Sequence, residues 1–257
     1  MILNGRCISP GSARGEVVKL DEPLSFLGGV DGSTGEIRVG NGGNVAGKVL
    51  VFPKGKGSTV GSFVMYDLMV HGRQPVAVIN ESAETIVATG AVISSIPMVD
   101  LIPTVDVFED GDIVSVDADT GTVEVEGVEL REAVSSALVD NGRVLMLSRP
   151  ATSRSFPGVW SLVSGKIEDG EAPVDASRRE IMEETGIEVG SPDGTMDPVY
   201  VREGTTLWKV FPFLYRVSGA EPVLNDENEG FEWVPVDAVS DRDTVKGTGR
   251  VLGTLLG

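Results

Sequence analysis

Gly165-Lys166-Ile167-Glu168-Asp169-Gly170-Glu171-Ala172-Pro173-Val174-Asp175-Ala176-Ser177-Arg178-Arg179-Glu180-Ile181-Met182-Glu183-Glu184-Thr185-Gly186-Ile187 combines one helix signal with an uneven load of carboxylates. Pro173 sits close to a first helical position, where its missing N–H costs nothing, and Gly186 supplies the C′ stop. Between them Glu180, Glu183 and Glu184 stand at i, i+3 and i+4, so three carboxylates share one helical face. Val174, Ile181 and Thr185 fall on another face that can pack against a sheet. A glutamate triplet of this kind is either an ordinary solvated surface or a set of like charges held together by a cation. Clustered carboxylate oxygens suit a hard ion such as Mg²⁺. Gly165 can offer its carbonyl at close range, and Arg179 is suited to orient Glu171 or a glutamate of the triplet.

Outward from this helix, the second half reads as strands. Ala133–Val139 and Val144–Leu147 flank Asp140-Asn141-Gly142, and Asn-Gly between apolar runs signals a hairpin. Trp208–Val217 and Phe231–Val234 follow as later strands. Asp226, Glu227, Glu229 and Glu232 form a second acidic cluster before Trp233, from which Glu229 is the chosen further ligand or general base. The helix from Pro173 is the only long one expected in this half.

Before a break near Gly127–Glu132 the chain is rich in Gly and short β-branched runs. Val17–Leu20, Lys48–Phe52 and Pro75–Ile79 read as strands, and Asp112–Val116 and Thr122–Val125 as a hairpin. One helix is expected, from about Thr59 to Val70, stopped by His71-Gly72. The loop ahead of it, Pro53-Lys54-Gly55-Lys56-Gly57-Ser58-Thr59, runs from strand to helix. It is either a glycine turn with Ser58 or Thr59 as N-cap or an anion site of backbone N–H groups helped by two lysines. It is not a Walker A loop, because Gly57 intervenes between Lys56 and Ser58.

Composition narrows the classes. A length of 257 residues suits two domains. The formal charge of −18, with 14 Arg and 7 Lys, repels nucleic-acid phosphates, so no nucleic-acid partner is expected. A lone cysteine, Cys7, and a lone histidine, His71, exclude an internal disulfide and any Cys/His metal cage made by this chain alone. Cys7 is expected as a small buried side chain and His71 as a helix-end surface residue. No run approaches the about 18 apolar residues of a membrane span, so no membrane contact and a cytoplasmic location are expected.

The pattern Gly-x5-Glu-x7-Arg-Glu-U-x-Glu-Glu-x-Gly-U is filled at all nine defined positions, with Ile181 and Ile187 as the apolar U residues. This segment resembles the Nudix hydrolase family, and Phe156-Pro157-Gly158-Val159-Trp160 is similar to its lead-in. Val163-Ser164 stands where many members have Pro-Gly. The resemblance implies an αβα sandwich over 129–257 and hydrolysis of a nucleoside diphosphate linked to another moiety, or of a related diphosphate. It implies Gly165, Glu171, Arg179, Glu180, Glu183, Glu184 and Gly186 as the box. Glu180 and Glu184 are then the principal ligands for Mg²⁺ or Mn²⁺, with the Gly165 carbonyl a further ligand and Glu183 a ligand or base.

In the first half, Gly5-Arg6, Ser25–Asp31, Gly47–Gly61, Ala88–Ala91 and Ile96–Asp100 together resemble the small swivel subunit of archaeal phosphomevalonate dehydratases, of the aconitase X family. That resemblance covers 1–128 and implies a β-rich α/β swivel domain of the β/β/α type. It implies Ser58 as proton acceptor in removing water from a 3-hydroxy-acid phosphate, with Lys56, Gly57 and Thr59 against the substrate. It further implies a separate large subunit carrying an iron–sulfur cluster, which agrees with the single cysteine here. The leading expectation is a fusion of the two activities, in the mevalonate route to isoprenoids. The alternative is that the Nudix domain senses a diphosphate without hydrolysing it and tunes the dehydratase.

Overall fold

The structure is a computed structural model that describes residues 1–152 and 157–256. Phe156, the first residue of the Nudix lead-in, lies outside the described residues. The chain divides into two compact units, Met1–Glu129 and Leu130–Gly257. Among the described residues, no helix is long and apolar enough to cross a membrane.

The first unit runs β1 (Ile2–Asn4), β2 (Arg6–Ser9), β3 (Ser12–Lys19), a kinked turn α1 (Phe26–Gly29), β4 (Val49–Lys54), α2 (Gly61–Val70), β5 (Ala77–Ser82), α3 (Thr85–Ile93), β6 (Met98–Asp100), β7 (Ile113–Asp117) and β8 (Thr122–Val125). Its eight strands form one sheet in the order β1-β8-β7-β3-β4-β5-β6-β2. Pairing is parallel from β3 through β6 and antiparallel at both ends. Val49, Leu50, Val51 and Phe52 are all buried, the continuous apolar run of a strand covered on both faces.

Two helix expectations for this unit are corrected. The first concerns the start of α2: the helix begins at Gly61 with Val60 as N-cap and no side-chain cap, so neither Ser58 nor Thr59 caps it. Ser58 Oγ instead accepts the Val60 N–H at 3.3 Å, one step ahead of the helix. The second concerns α3, a helix the sequence did not suggest because Thr85-Ile86-Val87-Ala88-Thr89 is rich in β-branched residues. Its start is capped by Glu84, whose carboxylate accepts the Val87 N–H at 3.4 Å. Gly90 lets it approach α2, since a β-carbon there would lie 2.4 Å from Met65 Sδ.

The second unit contains β9 (Glu129–Asp140), β10 (Arg143–Ser148), β11 (Trp160–Ser161), β12 (Val163–Lys166), α4 (Pro173–Thr185), β13 (Gly194–Thr195), β14 (Val199–Glu203), β15 (Thr206–Arg216), β16 (Gly230–Pro235) and α5 (Thr248–Leu256). Asn141 and Gly142 carry φ of 50° and 77°, as the tight β9–β10 hairpin requires. Strand alternation sorts the core into two layers. Ala137, Val139, Val144, Met146 and Leu214 pack with Val251 and Leu252 of α5. Their neighbours Leu138, Leu145, Leu147, Phe213 and Tyr215 pack with Ala176 and Ile181 of α4. Each sheet face thus carries a helix, an αβα sandwich dictated by the two-residue period of the strands. α5, of nine residues, is a second and shorter helix in this half beside the thirteen-residue α4.

Candidate functional site

In the second unit, α4 holds its carboxylates where Pro173 and Gly186 place them; Gly186 has φ of 66° and donates its N–H to Met182 O. Arg179 is the hub. Its Nε and one terminal nitrogen grip Glu171 at 2.9 and 3.0 Å, and the same nitrogen donates to Lys166 O at 3.0 Å. Its other nitrogen reaches Glu180 at 2.7 Å and Glu183 at 3.2 Å. The fork holds the Glu171 carboxyl below the usual carboxylate range. The Arg179 guanidinium is stabilised in its charged form, above all by Glu171.

Glu180 and Glu184 behave oppositely to Glu171. Burial pushes Glu180 up even though Arg179 opposes the shift. Glu184, only 3% exposed, is pushed up to about 8, chiefly by desolvation and further by Glu180 and Glu227. Arg149 and the Ser164 N–H pull it back. Gly165 lies directly beneath Glu180: a β-carbon there would stand 1.8 Å from Glu180 Cδ.

Some of these groups border a cavity of about 400 Å³, whose lining does not include Glu171, Arg179 or Glu184. Glu180, Glu183, Gly165 and Arg149 line it, and so does Glu227. Glu229 is not among the lining residues; it is exposed, and its carboxylate accepts the Ser148 hydroxyl at 3.4 Å. The acidic cluster contributes Glu227 to this lining, while Glu229, the residue chosen from the sequence, sits beside Ser148 at the start of β16, where Gly230 lies opposite Ser148. Sequence reasoning also missed Arg149, which donates to Ser161 Oγ at 3.4 Å and Ser164 Oγ at 3.2 Å.

Among the described residues, no group of three or more acidic, His or Cys side chains already converges on one metal position. The donor set nevertheless fits a cation. Glu180, Glu184 and Glu227 repel one another, and Glu180 lies over Gly165, whose missing side chain leaves room for its carboxyl. With the Gly165 carbonyl and Glu183, these are hard oxygen donors of the kind Mg²⁺ or Mn²⁺ takes.

In the first unit the loop Lys54–Thr59 joins β4 to α2. Lys56 N–H donates to Leu24 O at 2.9 Å, and Leu24 N–H to Lys54 O at 3.0 Å, pinning the loop to the preceding segment. Gly57 has φ of 103°, and a β-carbon on it would meet Ser25 Oγ at 2.8 Å, so only glycine fits. Lys56, Gly57, Ser58 and Thr59 are all exposed. Among the described residues, no acidic or imidazole side chain hydrogen-bonds the Ser58 hydroxyl. His71 ends α2 at the surface. Cys7, expected to be buried, is exposed, because β2 is the terminal strand of its sheet.

Comparison with known proteins agrees with this division. Residues 2–125 match the family model of the aconitase X swivel domain and residues 129–253 that of the NUDIX domain. The phosphomevalonate dehydratase small subunit of Thermococcus onnurineus is 54% identical over 130 residues, covering 49% of this chain and 99% of that protein. The crystal structure of Thermococcus kodakaraensis aconitase X (holo-form) is 52% identical, with a TM-score of 0.47, over 49% of this chain and 98% of that one. The MutT protein from Methanosarcina mazei Go1 is 24% identical, with a TM-score of 0.45, over 49% of this chain and 93% of that one. This chain belongs to the aconitase X swivel family of phosphomevalonate dehydratase small subunits through its first half and carries a Nudix domain in its second.

Proposed function

We propose that the chain fuses, at about residues 128/129, a phosphomevalonate dehydratase small subunit to a Mg²⁺- or Mn²⁺-dependent hydrolase of an organic diphosphate. The observation that carries the hydrolase reading is an acidic set at the cavity: Glu180 and Glu227 line it with Gly165, and the buried Glu184 is acted on by both. Three carboxylates that repel one another, with Arg149 the nearby cation acting on Glu184, call for further positive charge. A bound divalent ion would neutralise diphosphate charge and acidify an attacking water. The chain's own residues do the rest. Arg149, Lys166 and Lys246 line the cavity as cations for phosphate oxygens. Arg179 holds Glu171 and the box glutamates in register, while Glu183 or Glu227 is available to take a proton. The test is phosphate release from a panel of nucleoside- and alkyl-linked diphosphates with and without Mg²⁺. Loss in the Glu184→Gln variant supports the reading, and identical rates in the two proteins overturn it.

The dehydratase half is proposed to act with a separate large subunit that bears the iron–sulfur cluster, dehydrating mevalonate 5-phosphate in the isoprenoid route. Ser58 is the proposed proton acceptor, with Lys56, Gly57 and Thr59 beside the substrate phosphate. Support comes from exposure: among the described residues no acidic or imidazole side chain hydrogen-bonds Ser58, and α2, which follows it, leaves Phe63, Tyr66 and Val70 exposed, as is its N-cap Val60. Dehydration by the purified chain mixed with a large subunit, abolished by Ser58→Ala, is the expected outcome; activity of the large subunit alone overturns it.

A second reading, that the Nudix domain senses a diphosphate without cleaving it, is favoured by Arg179 occupying Glu180 and Glu183. Diphosphate binding that is unaffected by Mg²⁺, with no turnover, would decide for it.

A further inference from the structure

Beyond the box, the cavity has a chemically distinct second wall. In the β14–β15 ribbon, Val199 pairs with Val210 and Val201 with Trp208, so these four side chains share one face. Opposite them lie Val245 and, on α5, Val251. Val201, Val210, Val245 and Trp208 are only partly buried, so the apolar surface is open to whatever fills the cavity. Gly247 adds to the close fit, because a β-carbon on it would touch Val201 Cγ2 at 3.4 Å.

Arg149, Lys166 and the carboxylates supply polar lining, and Lys246 and Thr248 add more next to Val245. Lys166, next to Gly165, places its Nζ 6.0 Å from the Trp208 ring centre, so a cation borders the ring. The ring's own N–H is directed to Glu203, at 3.2 Å. A nucleobase is recognised through paired donors and acceptors on its edge, which proteins read with amide or carboxylate side chains. Among the described residues lining this cavity there is no Asn, Gln or Asp; its carboxylates are Glu180, Glu183 and Glu227 of the acidic set, and the side chains of Val199, Val201, Val210, Val245 and Val251 offer such an edge neither donor nor acceptor. Burying it there would leave polar groups unpaired.

We propose that the organic group of the substrate is a short branched hydrocarbon rather than a nucleoside: an alkyl or alkenyl diphosphate, its phosphates at the box and its chain against Val199, Val201, Val210, Val245, Val251 and Trp208. This rests on the hydrolase reading and names its substrate class. In the reaction, the oxygen of one water bonds to one phosphorus and the bridging P–O bond breaks. The bridging oxygen leaves on the other phosphate, and the products are an alkyl monophosphate, inorganic phosphate and one proton.

The experiment uses the full chain with Mg²⁺ and compares isopentenyl and geranyl diphosphates with ADP-ribose and deoxynucleoside triphosphates. The expected kcat/KM is about tenfold or more in favour of the alkyl substrates. Val201→Thr, which adds a hydroxyl at a half-exposed position, is expected to raise KM for them with kcat unchanged. Faster turnover of the nucleotides overturns this inference and leaves the hydrolase reading intact. If neither class is turned over, the hydrolase reading fails and calorimetric titration still decides: tighter binding of geranyl diphosphate than of ADP-ribose upholds the apolar subsite, and the reverse overturns it.

Discussion

The Glu180 carboxyl group lies over the α-carbon of Gly165, so close that a β-carbon at 165 would fall 1.8 Å from Glu180 Cδ. The glycine of the box thus has a steric duty to a glutamate fifteen residues later. Gly165→Ala should swing Glu180 away while leaving β12 paired with β9, and an about 1 Å displacement of a positioned group can lower activity by about 100-fold. Steady-state phosphate release together with an unchanged circular dichroism spectrum checks this.

Arg179 serves four acceptors, and its fork on Glu171 uses two nitrogens at once. Lysine has the charge without the fork. Arg179→Lys is therefore expected to lose most of the activity that Arg179→Ala loses, about tenfold or more in kcat/KM. Near-full rescue by lysine would mean that charge alone matters.

Glu227 lines the cavity, while Glu229 turns back to Ser148. Glu227→Gln should lower phosphate release by about 10²-fold if it acts as a general base, and Glu229→Gln should stay within about twofold of the parent. The opposite ranking would restore Glu229 as the functional residue.

In the swivel unit, the packing of α2 on α3 depends on Gly90, where a β-carbon would meet Met65 Sδ at 2.4 Å. Gly90→Val is expected to cost about 1–3 kcal/mol through overpacking. Urea unfolding followed by a probe in this unit measures it.

Asp31 accepts from the Ser33 hydroxyl and from the N–H groups of Ser33 and Thr34, and it pairs with Arg38. The Ser33 hydroxyl does most to hold its carboxyl down to about 2. A folded value below the unfolded one means that its contribution is fully present above about pH 4 and is lost as pH falls toward about 2. Asp31→Asn should flatten stability across that window, which acid titration followed by fluorescence reads.

How much of this was legible in the sequence varied with the range of the interaction. The α4 boundaries were, because Pro173 and Gly186 act locally and the result, Pro173–Thr185 with Gly186 in the left-handed region, depends on few other residues. The β9–β10 hairpin was also, through Asn141-Gly142. α3 was not: its β-branched residues favour a strand in isolation, and only packing against α2 makes a helix the better burial. Cys7 failed for the same kind of reason, because a strand's place at the sheet edge is a property of the whole sheet.

The sequence by itself determined the box pattern: its spacing and which carboxylates share a face of α4. These follow from the helix period and the chemistry of the side chains. Only the tertiary structure decided that Glu227 and not Glu229 joins the cavity, that Arg149 sits beside Glu184, and that Val199, Val201, Trp208 and Val210 meet Val245 and Val251. Those neighbours come from separate strands, the loops between them and α5. They are brought together by β-pairing and by burial of two sheet faces, forces that act on surfaces and leave no mark at a fixed spacing along the chain.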